Sequence, residues 1–269
     1  MGDPFDFSGK TVLVTGGTRG VGLETGLAFG RRGARVVLTF RWGDHDEAAI
    51  LRRFADAGAP PPRIVMADVA NRDDTRALLG GIAADAGSLD VLVSNVSSAA
   101  VVRSFEDYTL KGLKQSISYS SWPLVAYLQE ARAVLGRYPG HVVALSSTGP
   151  HHFAAGYDFV AAAKTVLEVF VRYLNVHLRA DGVVINAVCA GGIRTESFER
   201  TFGPEFAAFV TRFVPDSYWI EPAQVADAIV ALCSGYCDAI GGQVVDVDKG
   251  TTFFSNLMGL YASSRRPSP

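Results

Sequence analysis

The sequence lacks the features that mark secreted, membrane-spanning and nucleic-acid-binding proteins. Its three cysteines are an odd number in a chain of 269 residues, so no disulfide framework is predicted. No apolar run approaches the ~18 residues that a membrane span needs, and residues 1–10 contain no signal-peptide core. The formal net charge of -2 offers no electrostatic attraction to nucleic acid or to an anionic membrane. We therefore expect a cytoplasmic protein with neither a nucleic-acid partner nor a membrane partner.

Metal-ligand patterns, internal repeats and linkers are also missing. Cys233 and Cys237 are one helical turn apart, but no histidine pattern accompanies them, so we interpret both as packing residues and expect no metal site. With 48% hydrophobic residues, a chain of this length can form one large core. Residues 1–269 are therefore predicted to form a single domain.

What the sequence does contain is short apolar runs that alternate with helical patterns. The runs lack polar–apolar alternation, as is typical of parallel strands buried on both faces. Together they predict an α/β fold of the Rossmann type, a doubly wound parallel sheet of seven strands in three layers, α/β/α. The predicted strands are Thr11 to Thr15, Arg35 to Phe40, Arg63 to Ala67, Asp90 to Ser94, Gly140 to Leu145, Val183 to Val188 and Gln243 to Val247.

A glycine-rich turn joins the first predicted strand to a helix predicted at about Val21 to Arg32. Glycines there allow a tight turn and let backbone N–H groups approach a pyrophosphate, which the helix N-terminus also attracts. Strand, glycine turn and helix in this order indicate a dinucleotide-binding site. The residues of the turn that we predict to bind the cofactor are Gly16, Thr18, Arg19, Gly20, Val21 and Gly22.

Charges at the ends of the second and third strands bear on which nicotinamide cofactor binds. NAD-selective sites commonly place an acidic residue at the end of the second strand, whereas this chain has Phe40 followed by Arg41. Arg41 and Arg19 suit a 2′-phosphate through charge-assisted bonds, so we predict NADPH. The alternative is that Arg41 merely opens an exposed loop. Asp68, followed by Val69, is expected to accept a hydrogen bond from the adenine amino group.

In combination and in order, these motifs resemble the short-chain dehydrogenase/reductase family over about residues 8 to 250. The segments that carry the resemblance are Thr15 to Gly22, Asp68-Val69, Ser94 to Ser97, Ser146-Ser147, Lys164, Asn186 to Thr195 and Asp248 to Gly250. The resemblance implies a nicotinamide cofactor, with Asn95, Ile193 and Thr195 as further binding residues. It also implies a homotetramer or homodimer built partly on helices around residues 110–137 and 157–180.

The sequence departs from the Tyr-x-x-x-Lys catalytic pair that is usual in this family. Counting back four residues from Lys164 reaches Val160, which has no proton to give. The family's active-site Asn falls near Ser118, whereas Ser147 is kept. An ordinary carbonyl-reducing site would therefore lack its acid.

Tyr157 offers a different acid, seven residues before Lys164. The surrounding run predicts a helix, so the two side chains are expected on one face, roughly 10 Å apart along the axis. Tyr-(x)6-Lys is the spacing in the enoyl-acyl carrier protein reductase branch of the family. In conjugate reduction the hydride attacks Cβ and charge develops on a more distant oxygen, which a phenol moved along the helix can meet. Taken alone, the pair would more simply be a packed tyrosine and a lysine that reaches water.

We therefore expect an NADPH-dependent reductase of an α,β-unsaturated acyl thioester, carried on coenzyme A or acyl carrier protein, in fatty-acid or polyketide-type secondary metabolism. The expected catalytic residues are Tyr157, Lys164 and Ser147, and Lys164 also binds the nicotinamide ribose. Two alternatives stay open. The first is an atypical ketoreductase of a ketone substrate, in which a histidine (His151 or His152), a serine or solvent supplies the proton. The second is a non-catalytic NADPH-binding subunit.

The segment from about residue 196 to 220 is predicted as an insertion that covers the substrate. In this fold such a segment would lie over the crevice beyond the carboxyl ends of the strands. Packing in the core explains its aromatic stripe equally well. The stripe follows three- and four-residue steps, as on a helix, at Phe198, Phe202, Phe206, Phe209 and Phe213.

Overall fold

Seven parallel strands form one sheet in the computed structural model, which describes residues 5–42, 45–98, 101–193, 205, 210 and 219–264. The sheet order is β3-β2-β1-β4-β5-β6-β7, which confirms the predicted Rossmann-type doubly wound topology. The strands are β1 (Thr11–Val14), β2 (Arg35–Phe40), β3 (Arg63–Met66), β4 (Val91–Ser94), β5 (His141–Ser146), β6 (Val184–Ala190) and β7 (Val244–Val247).

Helices cover both faces of the sheet and give the three layers. Two helices, α1 (Gly20–Gly30) and α7 (Pro222–Leu232), pack together over one apolar cluster. The other cluster is covered by α3 (Arg72–Ala86), α5 (Trp122–Leu135) and α6 (Asp158–His177). None of the helices in the described ranges is long and apolar enough to cross a membrane. The helices, numbered within those ranges, are α1 (Gly20–Gly30), α2 (Glu47–Asp56), α3 (Arg72–Ala86), α4 (Leu110–Ser120), α5 (Trp122–Leu135), α6 (Asp158–His177), α7 (Pro222–Leu232), α8 (Thr251–Phe254) and α9 (Leu257–Ser264).

The chain reverses direction across the sheet at β1. This strand pairs with β2 on one side and with β4 on the other, and Val12 is in register with both Val36 and Val91. The connections that leave β1 and β4 therefore diverge to opposite sides. In open parallel sheets this divergence opens a crevice beyond the carboxyl ends of the strands, where ligands bind.

Burial on both faces holds for the central strands and fails at the edges. Every residue of β1 and β4 is buried, whereas β3 leaves Arg63 and Met66 exposed, Met66 by 70%. The prediction that all strands are buried on both faces is therefore wrong for β3, and β7 is only half-buried as well. Both lie at an edge of the sheet, where the flanking helices do not cover them completely.

Candidate active site

A cavity of about 560 Å³ opens at the carboxyl ends of the strands, at the crevice beside β1 and β4. It brings together nearly all of the predicted site residues. Thr195 lies outside the described residues, so its place is not part of this comparison. The predicted residues that line the cavity are Gly16, Thr18, Arg19, Gly20, Val21, Gly22, Arg41, Asp68, Val69, Asn95, Ser147, Tyr157, Lys164 and Ile193.

The glycine turn needs glycine for two separate physical reasons. Gly16 has a φ of 64° and Gly20 has a φ of 52°, a left-handed backbone that side chains disfavour. Gly22 lacks that conformation but is crowded, because a Cβ there would lie 2.3 Å from the carbonyl oxygen of Gly16. The N-terminus of α1, which follows, has no side-chain cap and no acidic residue in its first turn. Its free N–H groups therefore suit an anion such as a pyrophosphate.

Asn95 holds the glycine turn from the neighbouring strand. Its Nδ2 donates to the carbonyl oxygens of Thr15 at 3.0 Å and Gly16 at 3.1 Å. Its backbone N–H donates to the Thr15 hydroxyl at 3.0 Å. Asn95 was predicted as a cofactor-binding residue, and here its amide nitrogen fixes the shape of the turn that faces the cavity.

Arg41 is already engaged by protein groups where the cavity borders the ends of β2 and β3. Its guanidinium pairs with the Asp68 carboxylate at 2.5 Å and donates to the Tyr119 hydroxyl. The same guanidinium lies over the Trp42 ring, 4.2 Å from its centroid. Tyr119 also lines the cavity, but nothing in the sequence pairs this residue of α4 with Arg41, so it was not predicted.

Tyr157 precedes α6 rather than lying inside it, which corrects the helical placement predicted from the sequence. It occupies the N-cap position with φ -99° and ψ 6°, and α6 begins at Asp158. The phenol ring packs against Gly149, where an added Cβ would lie 2.8 Å from a ring carbon. Burial raises the pKa of the Tyr157 phenol, and the nearby Ser147 hydroxyl opposes that rise. The phenol therefore stays protonated at neutral pH and can act as a hydrogen-bond donor.

Lys164 is the deepest charged group of the cavity, with 3% of its surface exposed. Its Nζ donates to the Leu145 carbonyl oxygen at 2.6 Å, which ties α6 to the end of β5. Burial lowers the pKa of Lys164 to about 8, and the nearby Glu168 carboxylate opposes the fall. Glu168 was not predicted as a neighbour of Lys164, although a spacing of four residues places the two on one helix face.

Ser147 contributes a buried hydroxyl oxygen beside the Tyr157 phenol. Its Oγ makes no hydrogen bond of acceptable geometry with the described residues, although it lies near enough to Tyr157 to moderate the phenol pKa. An unsatisfied buried hydroxyl in a cavity usually faces a ligand or water. The glycine turn suits the pyrophosphate of a dinucleotide, and the Ser147 hydroxyl suits a polar group of a ligand near Tyr157. The residues present therefore fit a bound dinucleotide.

The predicted position of the family's Asn, near Ser118, does not reach the cavity. The Ser118 hydroxyl instead donates to the Lys114 carbonyl oxygen at 2.8 Å within α4. The helical conformation is interrupted at Ser121, between α4 and α5. The Ser121 hydroxyl donates to the Ala163 carbonyl oxygen at 2.6 Å. This hydrogen bond holds the junction of α4 and α5 against α6, next to Lys164.

The two histidines proposed as alternative proton donors lie in the loop after β5. Both are exposed, and neither belongs to the described lining of the cavity. His151 turns toward α6, where its Nε2 is 3.2 Å from Glu168 Oε2. This arrangement therefore does not favour direct donation of a proton from His151 or His152 to a substrate in the cavity.

Most of the predicted insertion at 196–220, including its aromatic stripe, lies outside the described residues. Its end is described and well anchored. The Ile220 N–H donates to the Gly192 carbonyl oxygen at 3.2 Å, and Ile220 forms a parallel bridge with Ile193. Lys249 Nζ donates to the Trp219 carbonyl oxygen at 2.7 Å. The two flanks of the segment therefore meet at the rim of the cavity, where Ile193 lies.

Comparison with known proteins gives a consistent result. A family model described as enoyl-(acyl carrier protein) reductase matches residues 16–252. The enoyl-[acyl-carrier-protein] reductase [NADH] of Aquifex aeolicus is 29% identical over 260 residues, which cover 94% of this chain and 93% of that protein. Its crystal structure superposes with a TM-score of 0.79 at 26% identity, covering 93% of this chain and 99% of the other.

Two further relatives differ in the chemistry that their names describe. The 1-cyclohexenylcarbonyl-CoA reductase of Streptomyces collinus is 29% identical over 242 residues, covering 88% of this chain and 85% of that protein. The 3beta-hydroxysteroid dehydrogenase 1 of Eggerthella lenta is 28% identical over 260 residues, covering 93% of this chain and 96% of that protein. The relatives thus include proteins named for the reduction of unsaturated acyl groups and one named for a hydroxysteroid.

Proposed function

This chain belongs to the short-chain dehydrogenase/reductase family, and from that membership and the geometry of the cavity we propose that it reduces an α,β-unsaturated acyl thioester with NADPH. The observation that carries the proposal is the position of Tyr157. Its phenol lines the same cavity as Lys164, while Val160 stands four residues before the lysine. The names of two relatives, one acting on an acyl carrier protein and one on a coenzyme A thioester, support the same substrate class.

The mechanism assigns one task to each polar group of the cavity. A bound nicotinamide supplies the hydride that reduces Cβ of the substrate. The Tyr157 phenol donates a hydrogen bond to the thioester oxygen as negative charge develops there, and a preorganised donor of this kind stabilises the transition state. The raised pKa of Tyr157 keeps the phenol protonated at neutral pH, so that it can donate this hydrogen bond. Ser147 closes the wall beside the phenol.

Lys164 is proposed to hold the ribose of the nicotinamide and to add positive potential behind Tyr157. Its bond to the Leu145 carbonyl oxygen restrains the ammonium group near the carboxyl end of β5. A cation in so buried a place interacts with developing negative charge more strongly than it would in water.

The choice of NADPH is supported by the two cations at the adenosine end. Arg19 and Arg41 both line the cavity, and Arg19 makes no ion pair with the described residues. Arg41 pairs with Asp68 in this structure, so a 2′-phosphate would compete with that carboxylate for the guanidinium. A carboxylate released in this way can accept from the adenine amino group. The Aquifex relative is named for NADH, so this preference rests on the arginines of this chain.

Association of copies is supported by apolar side chains exposed along α5 and α6. Trp122, Val169, Tyr173 and Val176 are exposed by 46%, 43%, 66% and 74%. Exposed apolar patches of this kind commonly mark interfaces. We propose a homotetramer or homodimer through this surface, which light scattering after size-exclusion chromatography tests. All three cysteines are free, which supports a cytoplasmic location.

The test of function compares three reactions followed by NADPH absorbance. Crotonyl-CoA, a simple ketone and a substrate-free control separate the proposed activity from the alternatives. We expect oxidation of NADPH with the thioester and little with the ketone. Ketone reduction without thioester reduction would support the atypical ketoreductase, and tight NADPH binding without either activity would support a non-catalytic subunit.

A further inference from the structure

Tyr157, the proposed acid, precedes α6, so the helix alone does not fix its position. Its backbone N–H donates to the Ala154 carbonyl oxygen at 3.1 Å, and its carbonyl oxygen accepts from the Ala161 N–H at 2.8 Å. Gly156 stands immediately before it, with a φ of 74° that marks a turn. The direction of the Tyr157 ring therefore depends on what holds the residues on either side of it.

One side of Tyr157 is held through Gly156 by the segment of residues 101–109, which lies between β4 and α4. The Val102 N–H donates to the Gly156 carbonyl oxygen at 3.3 Å. A Cβ added at Gly156 would lie 3.1 Å from a methyl carbon of Val101. Val101, Gly156 and Tyr157 all line the cavity. The segment and the turn before Tyr157 therefore form one stretch of the cavity wall.

The other side of Tyr157 is held by Tyr108, through the first two residues of α6. The Tyr108 hydroxyl donates to Asp158 Oδ1 at 2.5 Å. The Tyr108 ring meets the buried Phe159 ring edge-on, with the two centroids 5.4 Å apart. A hydrogen bond to a charged acceptor is shorter and stronger than one between neutral groups. This bond also raises the pKa of the Tyr108 phenol, so the phenol remains the donor.

The segment of residues 101–109 is itself held in shape by internal bonds. Asp107 Oδ2 accepts from the backbone N–H groups of Arg103 at 2.8 Å and Ser104 at 3.1 Å. The helix that follows, α4, packs on α6 as well, because a Cβ added at Gly112 would lie 2.7 Å from a ring carbon of Phe159. A bond from this segment to α6 therefore joins two parts of the chain that are each well ordered by their own contacts.

Neither partner of the bond between Tyr108 and Asp158 needs the other to be satisfied. Tyr108 is 47% exposed, so its hydroxyl can bond to water instead. Asp158 lies in the first turn of α6, where the helix N-terminus already favours a negative charge. The bond therefore adds a connection beside the proposed acid, and the cost of burying a polar group does not explain it.

We propose that Tyr108 is a positioning residue for the reaction. Its bond to Asp158 clips residues 101–109 to the start of α6, and this clip keeps the Tyr157 phenol against Gly149 in the cavity. The inference rests on the proposed reductase function, in which the phenol must meet an oxygen of the substrate. A displacement of about 1 Å can cost on the order of 100-fold in rate, so a restraint beside the acid affects turnover.

The first experiment removes the hydroxyl of the clip. Tyr108→Phe keeps the ring that meets Phe159, so the fold should be preserved. We expect kcat for crotonyl-CoA to fall about tenfold, with NADPH affinity and the thermal unfolding temperature unchanged. Tyr236→Phe is the matched control, because this tyrosine is also exposed and lies in the turn after α7, outside the described lining of the cavity. The control should match the parent in all three measurements.

The second experiment asks whether Tyr108 acts through Tyr157. In a Tyr157→Phe background the phenol is absent, so adding Tyr108→Phe should cause no further loss of kcat. Two losses that multiply would mean that Tyr108 acts independently, which would overturn the proposal. Asp158→Ala should reproduce the loss caused by Tyr108→Phe. Asp158→Asn keeps an acceptor oxygen for the Tyr108 hydroxyl, so it should lose less than Asp158→Ala does.

The third experiment needs no turnover. Hydrogen exchange of backbone amides, followed by mass spectrometry, reports local opening of hydrogen-bonded N–H groups. We expect Tyr108→Phe to exchange about tenfold faster than the parent in peptides that cover residues 101–109 and 154–161, because one charge-assisted bond is lost. Peptides from α7 should exchange at the parent rate, and Tyr236→Phe should match the parent in residues 101–109 and 154–161.

The outcomes distinguish failure of the clip from failure of the proposed function. A parent protein that reduces no thioester overturns the proposed function, and hydrogen exchange then decides whether the clip holds the start of α6. An active parent with an equally active Tyr108→Phe variant overturns the positioning role, whether or not exchange is faster. Parallel losses of kcat, NADPH affinity and thermal stability also overturn it, because that pattern marks a structural role.

Discussion

The two ends of the cavity are built in different ways. At the end where we propose that adenosine binds, here called the adenosine end, the backbone of the glycine turn faces the cavity, and 36% of the Arg41 side chain and 14% of the Asp68 side chain are exposed. At the end where we propose that the reaction occurs, here called the catalytic end, Lys164 and Glu168 are almost fully buried, with 3% and 2% of their surfaces exposed. The first end thus depends on backbone shape and solvated charge, and the second on charge removed from water.

This difference determines what each end can do. Charges near the surface are screened by salt and contribute modest energies, so they suit the selection and holding of a ligand. Burial perturbs protonation, as the lowered pKa of Lys164 and the raised pKa of Tyr157 demonstrate, and perturbed groups are suited to proton chemistry. Substitutions at the adenosine end should therefore change affinity, and substitutions at the catalytic end should change rate.

The largest expected effect is at the catalytic end. Tyr157→Phe removes one hydroxyl and keeps the ring that packs on Gly149, so the fold and NADPH affinity should be preserved. We expect kcat for crotonyl-CoA to fall by about 10- to 1000-fold, the range for loss of one preorganised donor. Tyr173→Phe, on the exposed side of α6, is the control and should leave kcat unchanged. Full activity of the Tyr157 variant would mean that its phenol is structural.

The glycine turn tests the other side of the comparison. Gly22→Ala would place a Cβ 2.3 Å from the Gly16 carbonyl oxygen and 2.7 Å from Asn95 Nδ2, so the turn must distort. We expect NADPH affinity to fall by about 100-fold, from a loss of about 3 kcal/mol. Gly80→Ala in α3 is the matched control, since nothing lies within 4 Å of its added Cβ. Calorimetric titration of NADPH should separate the two variants.

Arg41→Gln should change cofactor preference rather than turnover. The guanidinium is replaced by a neutral amide, so the bond to a 2′-phosphate weakens by about 1.5–3 kcal/mol, roughly 10- to 100-fold in NADPH affinity. NADH affinity should change much less. The control is Arg53→Gln in α2, which breaks an ion pair with Glu24 of α1 at the protein surface. Equal losses for both cofactors would contradict the role assigned to Arg41.

The pH dependence of activity should follow Lys164. Burial lowers its pKa from 10.5 to about 8, so the ammonium group is fully present below that pH and is lost as the pH rises through it. We expect kcat/KM to fall about tenfold for each pH unit above about 8. Lys164→Arg keeps its charge throughout this range, so its activity, though lower, should not fall there. A parent profile that stays flat to about pH 10 would contradict this assignment.

The smallest effect is expected from Val160→Tyr. This change recreates the usual family spacing without moving Tyr157, so it tests whether the chain is a reductase of ketones that has lost its acid. We expect ketone reduction to stay within about twofold of the parent, because the proposed acid is Tyr157. A large gain in ketone reduction would favour the ketoreductase interpretation. Val160 is half-buried in the lining of the cavity, so thermal unfolding of the variant should be measured to confirm that the larger side chain leaves the fold intact.

The glycine turn has a clear signal in the sequence because its residues are adjacent in the chain. Gly16 to Gly22 form a turn between β1 and α1, and the need for glycine follows from backbone sterics that act locally. The strands were likewise recognisable from their apolar runs. The exposed edge strand β3 differs, because its apolar residues resemble those of a central strand and only its place in the sheet uncovers them.

The residues predicted for the catalytic end line one cavity, but their connections to other residues were not predicted. The spacing of Tyr157 and Lys164 came from the sequence, yet the tertiary structure moved Tyr157 out of the helix to the position before α6. It also turned Asn95 toward the glycine turn and His151 toward Glu168. These bonds join residues from different strands, loops and helices, and no local pattern encodes such pairs.

The sequence by itself determined the order of strands and helices, the dinucleotide turn and the identity of the candidate acid and cation. The order of the elements and the turn depend on hydrophobic periodicity and on backbone preferences, which act over a few residues. The candidate acid and cation follow from the resemblance of their spacing to that of the enoyl reductase branch. Only the tertiary structure decided which polar groups are removed from water and which charges face one another. Burial and charge pairing depend on distances across the fold, and they set the pKa of Lys164, which burial lowers and the nearby Glu168 carboxylate raises.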